Sequence, residues 1–186
     1  MSAIFIKTTN FMPEDYQKSI YDIDFLSLKE KGITGLLIDV DNTLIPYDES
    51  IPSQKLIDLF TEIKNIGFQI MIISNNRVPR IQSFSAIVGC QFIAKAKKPF
   101  PFCFKKAMRT LNINDRKSIC VIGDQMMTDV FGAKRLGLMC ILVDAIKREN
   151  EKWFTKLNRK LESRMIKRIE KKYPSYFNDL KLGEKR

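Results

Sequence analysis

Leu36-Leu37-Ile38-Asp39-Val40-Asp41-Asn42-Thr43-Leu44 runs from three apolar residues into two aspartates spaced one apart. Leu36, Leu37 and Ile38 are apolar on both faces of an extended chain, the pattern of a buried parallel strand. The carboxylates emerge at the C-terminal end of that strand, the edge where open α/β sheets bind ligands. Residues two apart in an extended segment point the same way, so Asp39 and Asp41 can face one site. A loop starting there can equally turn Asp41 to a different task. Two acids followed by Asn and Thr also fit a solvated turn, because Asp and Asn favour turns. A calcium loop is excluded: its sixth position needs Gly and finds Leu44, and its twelfth needs Glu and finds Ser50.

Outward from this strand, apolar runs and helical periodicities alternate. Pro52 suits the first turn of a helix. Leu56, Leu59, Phe60, Ile63 and Ile66 carry helical spacing up to Gly67. Residues 68–73 form a second buried strand ending at Ser74-Asn75-Asn76-Arg77. A helix over 78–88 turns Ile81, Phe84, Ile87 and Val88 inward, and a short strand over 91–94 leads to Lys95-Ala96-Lys97-Lys98-Pro99. A helix over 101–111, a strand over 118–122 ending at Gly123-Asp124, a helix over 130–135 and a strand over 138–143 complete the alternation. Upstream, residues 11–28 mix aromatics and charges. Pro13 opens a short helix over 14–21, and Tyr16, Ile20, Tyr21, Ile23 and Phe25 pack inward. The fold class is α/β, a doubly wound parallel sheet. Its right-handed crossovers bring the strand ends, and their polar clusters, to one edge.

The 186 residues are 45% hydrophobic, enough for a sizeable core, and fall in the size range of one domain. Lys and Arg number 32 against 21 Asp and Glu, a formal charge of +11 that favours anionic partners: phosphorylated substrates, nucleic acid or an anionic membrane surface. There is no His, which removes imidazole catalysis, imidazole ligands and imidazole pH switching. Cys90, Cys103, Cys120 and Cys140 are scattered beside apolar runs without a Cys-x-x-Cys pair. They read as reduced core thiols, not as a zinc site. Residues 1–10 lack the apolar run and charge of a secretory signal, and no segment approaches the roughly 20 apolar residues of a spanning helix. The expected location is cytoplasmic, with room for peripheral contact at the inner face of a membrane.

Carboxylates gathered at one edge without His repel one another unless a cation intervenes. An all-oxygen set suits a hard divalent ion, most simply Mg2+. A divalent ion and a lysine together suit a phosphoryl group, since both stabilise its oxygens. No Gly-x-x-x-x-Gly-Lys-Ser/Thr loop is present, so a P-loop nucleotide site is not expected. One free carboxylate can attack phosphorus and another can move the proton. Three of the residues concerned have plainer roles open to them. Ser74 can cap the following helix. Lys98 can be a solvated charge beside Lys95 and Lys97. Asp129 can sit in the first turn of a helix, where anions are favoured.

Asp39-Val40-Asp41-Asn42-Thr43, Ser74, Lys98-Pro99 and Gly123-Asp124 with Asp129 resemble, in order and spacing, the four motifs of the haloacid-dehalogenase-type (HAD-type) phosphatases. The likeness is closest to the YqeG-like, type IIIA group, through Asp-Val-Asp-Asn-Thr-Leu, Ser-Asn-Asn, Lys-Pro and Gly-Asp-Gln-Met-Met-Thr-Asp-Val, with Leu157-Asn158-Arg159 and Glu162 further on. The resemblance implies a HAD-like, Rossmannoid fold and a magnesium-dependent phosphatase. It implies Asp39 as nucleophile and metal ligand, and Asp41 as general acid and base with its main-chain carbonyl on the metal. Thr43 would brace the motif at the substrate loop. Ser74, with Asn75, would hold the phosphoryl group, and Lys98 would stabilise its charge. Asp124 would be a metal ligand, and Asp129 a ligand through water or a residue orienting Lys98. Gln125 is a weaker candidate for substrate contact. An acid at Asp41 is what hydrolysis of a phosphoenzyme requires, which favours phosphatase over dehalogenase.

The chain leaves no room for a large cap domain between Thr43 and Ser74 or between Asn76 and Lys98, so the site is expected to be open to large substrates. Residues 1–150 read as the phosphatase core with its lead-in, and 151–186 as a basic C-terminal helix and tail. In that helix Trp153, Leu157, Leu161, Met165 and Ile169 recur every four residues among lysines and arginines. The stripe reads either as a packing face or as a membrane-surface helix. Relatives in the YqeG-like group include phosphatases of phosphatidylglycerophosphate, an intermediate of phosphatidylglycerol biosynthesis. An open site and a basic tail fit that anionic lipid head group, the leading substrate. The alternatives are a soluble sugar phosphate, nucleotide or nucleic-acid end, or a basic scaffold that binds RNA or protein. DNA is not an expected partner, and RNA is less favoured than the lipid.

Overall fold

The computed structural model describes residues 7–149 and 151–185. Residues 1–6 of the N-terminal run considered above fall outside them. Six parallel strands form one sheet: β1 (Asp15–Gln17), β2 (Gly35–Ile38), β3 (Gln69–Ile73), β4 (Gln91–Ile93), β5 (Ile119–Gly123) and β6 (Met139–Val143), in the order β1-β6-β5-β2-β3-β4. From β2 the chain winds outward through β3 and β4, then returns to the other side through β5 and β6. The direction of winding therefore switches between β2 and β5, where a doubly wound sheet opens its ligand crevice. Register sharpens the placement: Ile38 lies level with Ile72 and with Ile122. The next residues along, Asp39, Ile73 and Gly123, thus share a row at the C-terminal edge.

Helices cover both faces, which is why β2 is apolar throughout. Leu36 and Ile38 face a core layer built with Phe60 of α2 (Gln54–Asn65) and Phe84 of α3 (Val78–Val88), with α1 (Phe25–Glu30) beside them. Leu37 faces the other layer, with Phe104 of α4 (Pro101–Thr110), Ala133 of α5 (Phe131–Lys134) and Ile169 of α6 (Trp153–Lys172). A short helix, α7 (Pro174–Asp179), and a 3-10 turn over Leu182–Glu184 end the described chain. Among the described residues there is no separate cap domain. The segment from residue 151 on shares the sheet's core through Ile169 and Leu182.

Two local expectations give way. The helix expected over 14–21 is instead the edge strand β1. The Glu14 N–H donates to Cys140 O at 2.9 Å, the Glu14 carboxylate accepts the Cys140 N–H at 2.8 Å, and Tyr16 alone of the strand turns inward. A period of two wins because a neighbouring edge was available, a fact outside the local sequence. Tyr21 and Ile87, expected inside, are exposed.

The apolar stripe of α6 is not one continuous packing face. At 3.6 residues per turn, a four-residue repeat drifts by about 40° per step, about 160° from Trp153 to Ile169. Ile169 is buried, Met165 and Ile166 half-buried, and Leu161, Leu157 and Trp153 exposed. The buried face at the N-terminal half carries Thr155, Arg159 and Glu162. The helix is pinned there by charge.

Candidate active site

Asp39 follows directly from β2, its main-chain N–H bonded to Ile122 O at 3.0 Å, with its carboxylate 6% exposed. Lys98 arrives from the loop after β4. Its Nζ lies 2.8 Å from Asp39 Oδ1 and 2.6 Å from Asp129 Oδ1. Lys95 and Lys97 are exposed, so only Lys98 of the three enters the site. Asn75 holds the Lys98 backbone at both ends: Oδ1 accepts the Lys98 N–H at 2.7 Å and Nδ2 donates to Lys98 O at 3.2 Å. The Asn75 side chain is thus spent on positioning, although the residue lines the pocket.

Asp124 follows β5 and is fully buried. Thr43 donates to its Oδ1 at 3.0 Å, which ties the loop after β2 to the loop after β5. Thr43 itself is buried behind the pocket wall. Asp129 accepts from Lys98, from Gln125 N at 3.2 Å and from Thr128 Oγ1 at 3.2 Å. Residues 126–130 form one turn of wider, π-type helix, and that turn folds Asp129 back over Gly123. A Cβ on Gly123 would stand 2.3 Å from Asp129 Cγ, so only glycine permits this approach.

Asp41 points elsewhere. Its carboxylate accepts from Ser74 Oγ at 3.1 Å, from Asn76 Nδ2 at 3.1 and 3.2 Å and from Arg80 Nε at 2.8 Å. Arg80 also donates to Ser50 Oγ and Pro46 O, which fastens the loop after Asp41 to α3. Ser74 does not cap α3. Its hydroxyl accepts Asn76 N at 3.0 Å within a local turn while donating to Asp41.

Asp39, Asp124 and Asp129 each offer an oxygen within 4.8 Å of the others. Every donor is a carboxylate, so the set fits a hard divalent cation bound through oxygen. Burial is the largest influence on Asp39 and lifts its pKa well above the ordinary carboxylate value. The negative charges of Asp129, Asp124 and Asp41 add to the rise, and Lys98 opposes it. Burial likewise raises Asp129. Burial works against the Lys98 ammonium, but Asp129 and Asp39 outweigh it and hold its pKa above the usual lysine value.

A second cation stands behind Asp124. Arg159 of α6 reaches Asp124 Oδ2 in a close ion pair, Asp124 O at 2.8 Å, Glu151 Oε1 at 2.8 Å and Glu162 Oε2 at 3.4 Å. Glu162 accepts Met126 N at 3.0 Å, and Lys185 donates to Asp124 O at 3.2 Å. Sequence reading noted Arg159 and Glu162 as part of the family likeness, within the basic helix, but gave neither a role. The missed signal was the spacing of Arg159 and Glu162, three apart on one face of a helix where they could meet a common partner.

A cleft of about 480 Å³ opens onto Asp39, Asp41, Ser74 and Lys98, with Gln125 on its wall. Phe11, Tyr47, Met127, Phe131 and Phe154 supply apolar lining, and Lys152 stands at the start of α6.

Residues 95–152 match the HAD-hydrolase-like family. The probable phosphatase YqeG of Bacillus subtilis is 36% identical over 162 residues, 87% of this chain and 93% of that protein. Phosphatidylglycerophosphate phosphatase 1 of Arabidopsis thaliana is 25% identical over 89% of this chain and 50% of its own length. Glyceraldehyde 3-phosphate phosphatase of Pyrococcus abyssi is 23% identical over 62% of this chain and 51% of its own. The chain thus spans about half the length of the latter two. Among solved structures, a haloacid-dehalogenase-like hydrolase of Brucella suis superposes with a TM-score of 0.51 over 67% of this chain and 93% of that one, at 11% identity, a likeness of fold.

Proposed function

The chain belongs to the haloacid-dehalogenase-like phosphatases, the family of Bacillus subtilis YqeG, and from that premise we propose that it hydrolyses phosphomonoesters through a phosphorylated Asp39, with phosphatidylglycerophosphate as leading substrate. The observation that carries the reading is Lys98 Nζ seated between Asp39 and Asp129 at the floor of an open cleft. An oxygen of the Asp39 carboxylate attacks phosphorus, and the bond to the ester oxygen breaks. Protonated Asp41 gives its proton to that leaving oxygen. Asp41 then takes a proton from water as the water oxygen attacks phosphorus, the Asp39–phosphorus bond breaks and phosphate leaves. Lys98 and Ser74 face the phosphoryl oxygens, and Gln125 lies where the rest of the substrate passes. Asp39, Asp124, Asp129 and the Asp41 carbonyl would hold Mg2+, which would supply charge neutralisation on the phosphoryl group.

Support for a lipid substrate comes from the apolar lining beside the acids and from the Arabidopsis relative. The Pyrococcus relative favours a second reading, a soluble sugar phosphate. Phosphate release is to be measured with and without Mg2+ on phosphatidylglycerophosphate vesicles and on a panel of soluble esters, with Asp39→Asn alongside. Lipid turnover lost in Asp39→Asn supports the whole reading. Turnover of soluble esters alone removes the lipid. Full activity in Asp39→Asn removes the phosphoenzyme.

A further inference from the structure

Six large apolar side chains that stay exposed among the described residues lie in two segments that border the cleft, the start of α4 after Lys98-Pro99 and the N-terminal half of α6. Phe100 and Phe102, just beyond Lys98-Pro99, are 55% and 54% exposed and stack on each other at 6.2 Å. α6, whose Phe154, Thr155 and Asn158 line the same cleft as Lys98 and Pro99, presents Trp153, 77% exposed and edge-on to Phe154 at 6.1 Å, followed by Leu157 and Leu161. Folding has a buried face for α6 and uses it for Arg159 and Glu162, so these apolar groups are left outward by the same drift that buries Ile169. Exposed apolar groups collected in one region of a soluble fold mark a contact surface.

Charge selects what touches it. Between Trp153 and Lys172 the exposed charges are Lys156, Lys160, Arg164, Lys167, Arg168, Lys171 and Lys172, against Glu170 alone, because Glu162 is buried. Lys152 joins them at the cleft, its ammonium 5.0 Å from the Tyr47 ring and 5.9 Å from the Phe154 ring. A second copy of a chain with charge +11 would bring like charge against like. A single-stranded RNA would find rings to stack on, yet the aliphatic Leu157 and Leu161 add nothing to stacking. Aromatic and leucine side chains flanked by lysines, on one exposed helix face, match the boundary of an anionic bilayer.

The geometry points to the cleft rim, α6 from Trp153 to Leu161 with Phe100 and Phe102, as a docking face for an anionic lipid surface that sets the active-site mouth against the head groups. It rests on the phosphomonoesterase reading only for its purpose; the docking is measured separately. Trp153, Leu157 and Phe102 lie off the cleft lining, so substitutions there leave the chemistry in place.

The test is co-sedimentation of the full chain with vesicles of phosphatidylglycerol and phosphatidylcholine in equal parts, against phosphatidylcholine alone. Wild type is compared with Trp153→Glu/Leu157→Glu and with Phe102→Glu, and turnover of a soluble ester is followed in parallel. The expected result is binding to the anionic vesicles, weakened about tenfold or more in the double variant and by added salt, with soluble-ester turnover unchanged. Absence of wild-type binding overturns the proposal, as does binding that the variants leave intact. A concentration-dependent dimer that the same variants dissociate, without vesicle binding, also overturns it and assigns the face to self-association. Docking without lipid turnover would sink the substrate reading and leave the docking face standing.

Discussion

Arg159→Met tests whether α6 is part of the catalytic framework. In the folded chain the Arg159 guanidinium bridges Asp124, Glu151 and Glu162, all nearly buried. Burial opposes its charge, but Asp124 and Glu162 outweigh burial and raise its pKa further above the arginine value. Removing the cation leaves carboxylates facing one another in a low-dielectric interior. Breaking a buried pair in this way costs about 3–5 kcal/mol. Lys185, 3.6 Å from Glu162 and bonded to Asp124 O, stays behind and relieves part of this, so the low end applies, about 3 kcal/mol. Against a total stability of about 5–15 kcal/mol this is a large fraction. At about 2–4 °C per kcal/mol for a chain of this size, Tm should fall by about 6–12 °C. Urea and thermal unfolding give both numbers. Arg159→Lys, which keeps the charge and loses the fork, should recover part of the loss. A loss under about 1 kcal/mol in Arg159→Met would refute the reasoning and return α6 to the status of a surface attachment.

Lys98→Met should lower kcat by about a hundredfold or more, the usual loss when a charge-stabilising group is removed, while Lys97→Ala, exposed next door, should leave kcat unchanged. Phosphate-release kinetics on the two variants separate them. Gly123→Ala should displace the Asp129 side chain, costing about 1–3 kcal/mol in urea unfolding and weakening metal binding measured by calorimetry. Burial, the largest influence, lowers the pKa of Lys185. In the window between that lowered value and the ordinary lysine value the unfolded chain binds more protons, so stability rises with pH. Lys185→Met should flatten that slope, read from urea midpoints across the alkaline range.

The sequence by itself determined the sheet and the motif order. Leu36, Leu37 and Ile38, apolar on both faces, demand cover on both sides, and the alternation with helical periods at 56–66 and 81–88 allows little but a doubly wound α/β domain. Asp39, Ser74 and Asp124 were legible as neighbours because each directly follows a strand, with Asp41 and Lys98 in the loops just beyond, and parallel crossovers carry strand ends to one edge. Tertiary structure decided the rest. Which way Asp41 turns depends on Arg80, 39 residues away, and which lysine enters depends on Asn75 gripping the Lys98 backbone. An edge strand at Asp15–Gln17 exists only because β6 had a free side. The role of α6 was hidden for a like reason. Periodicity reports where apolar groups lie on a helix, whereas this helix docks through Arg159, whose burial is favourable only once Asp124, Glu151 and Glu162 surround it. Local pattern carries the hydrophobic contribution, which is additive and short-range. Buried charges are placed by partners distant in the chain, and only the folded molecule brings those partners together.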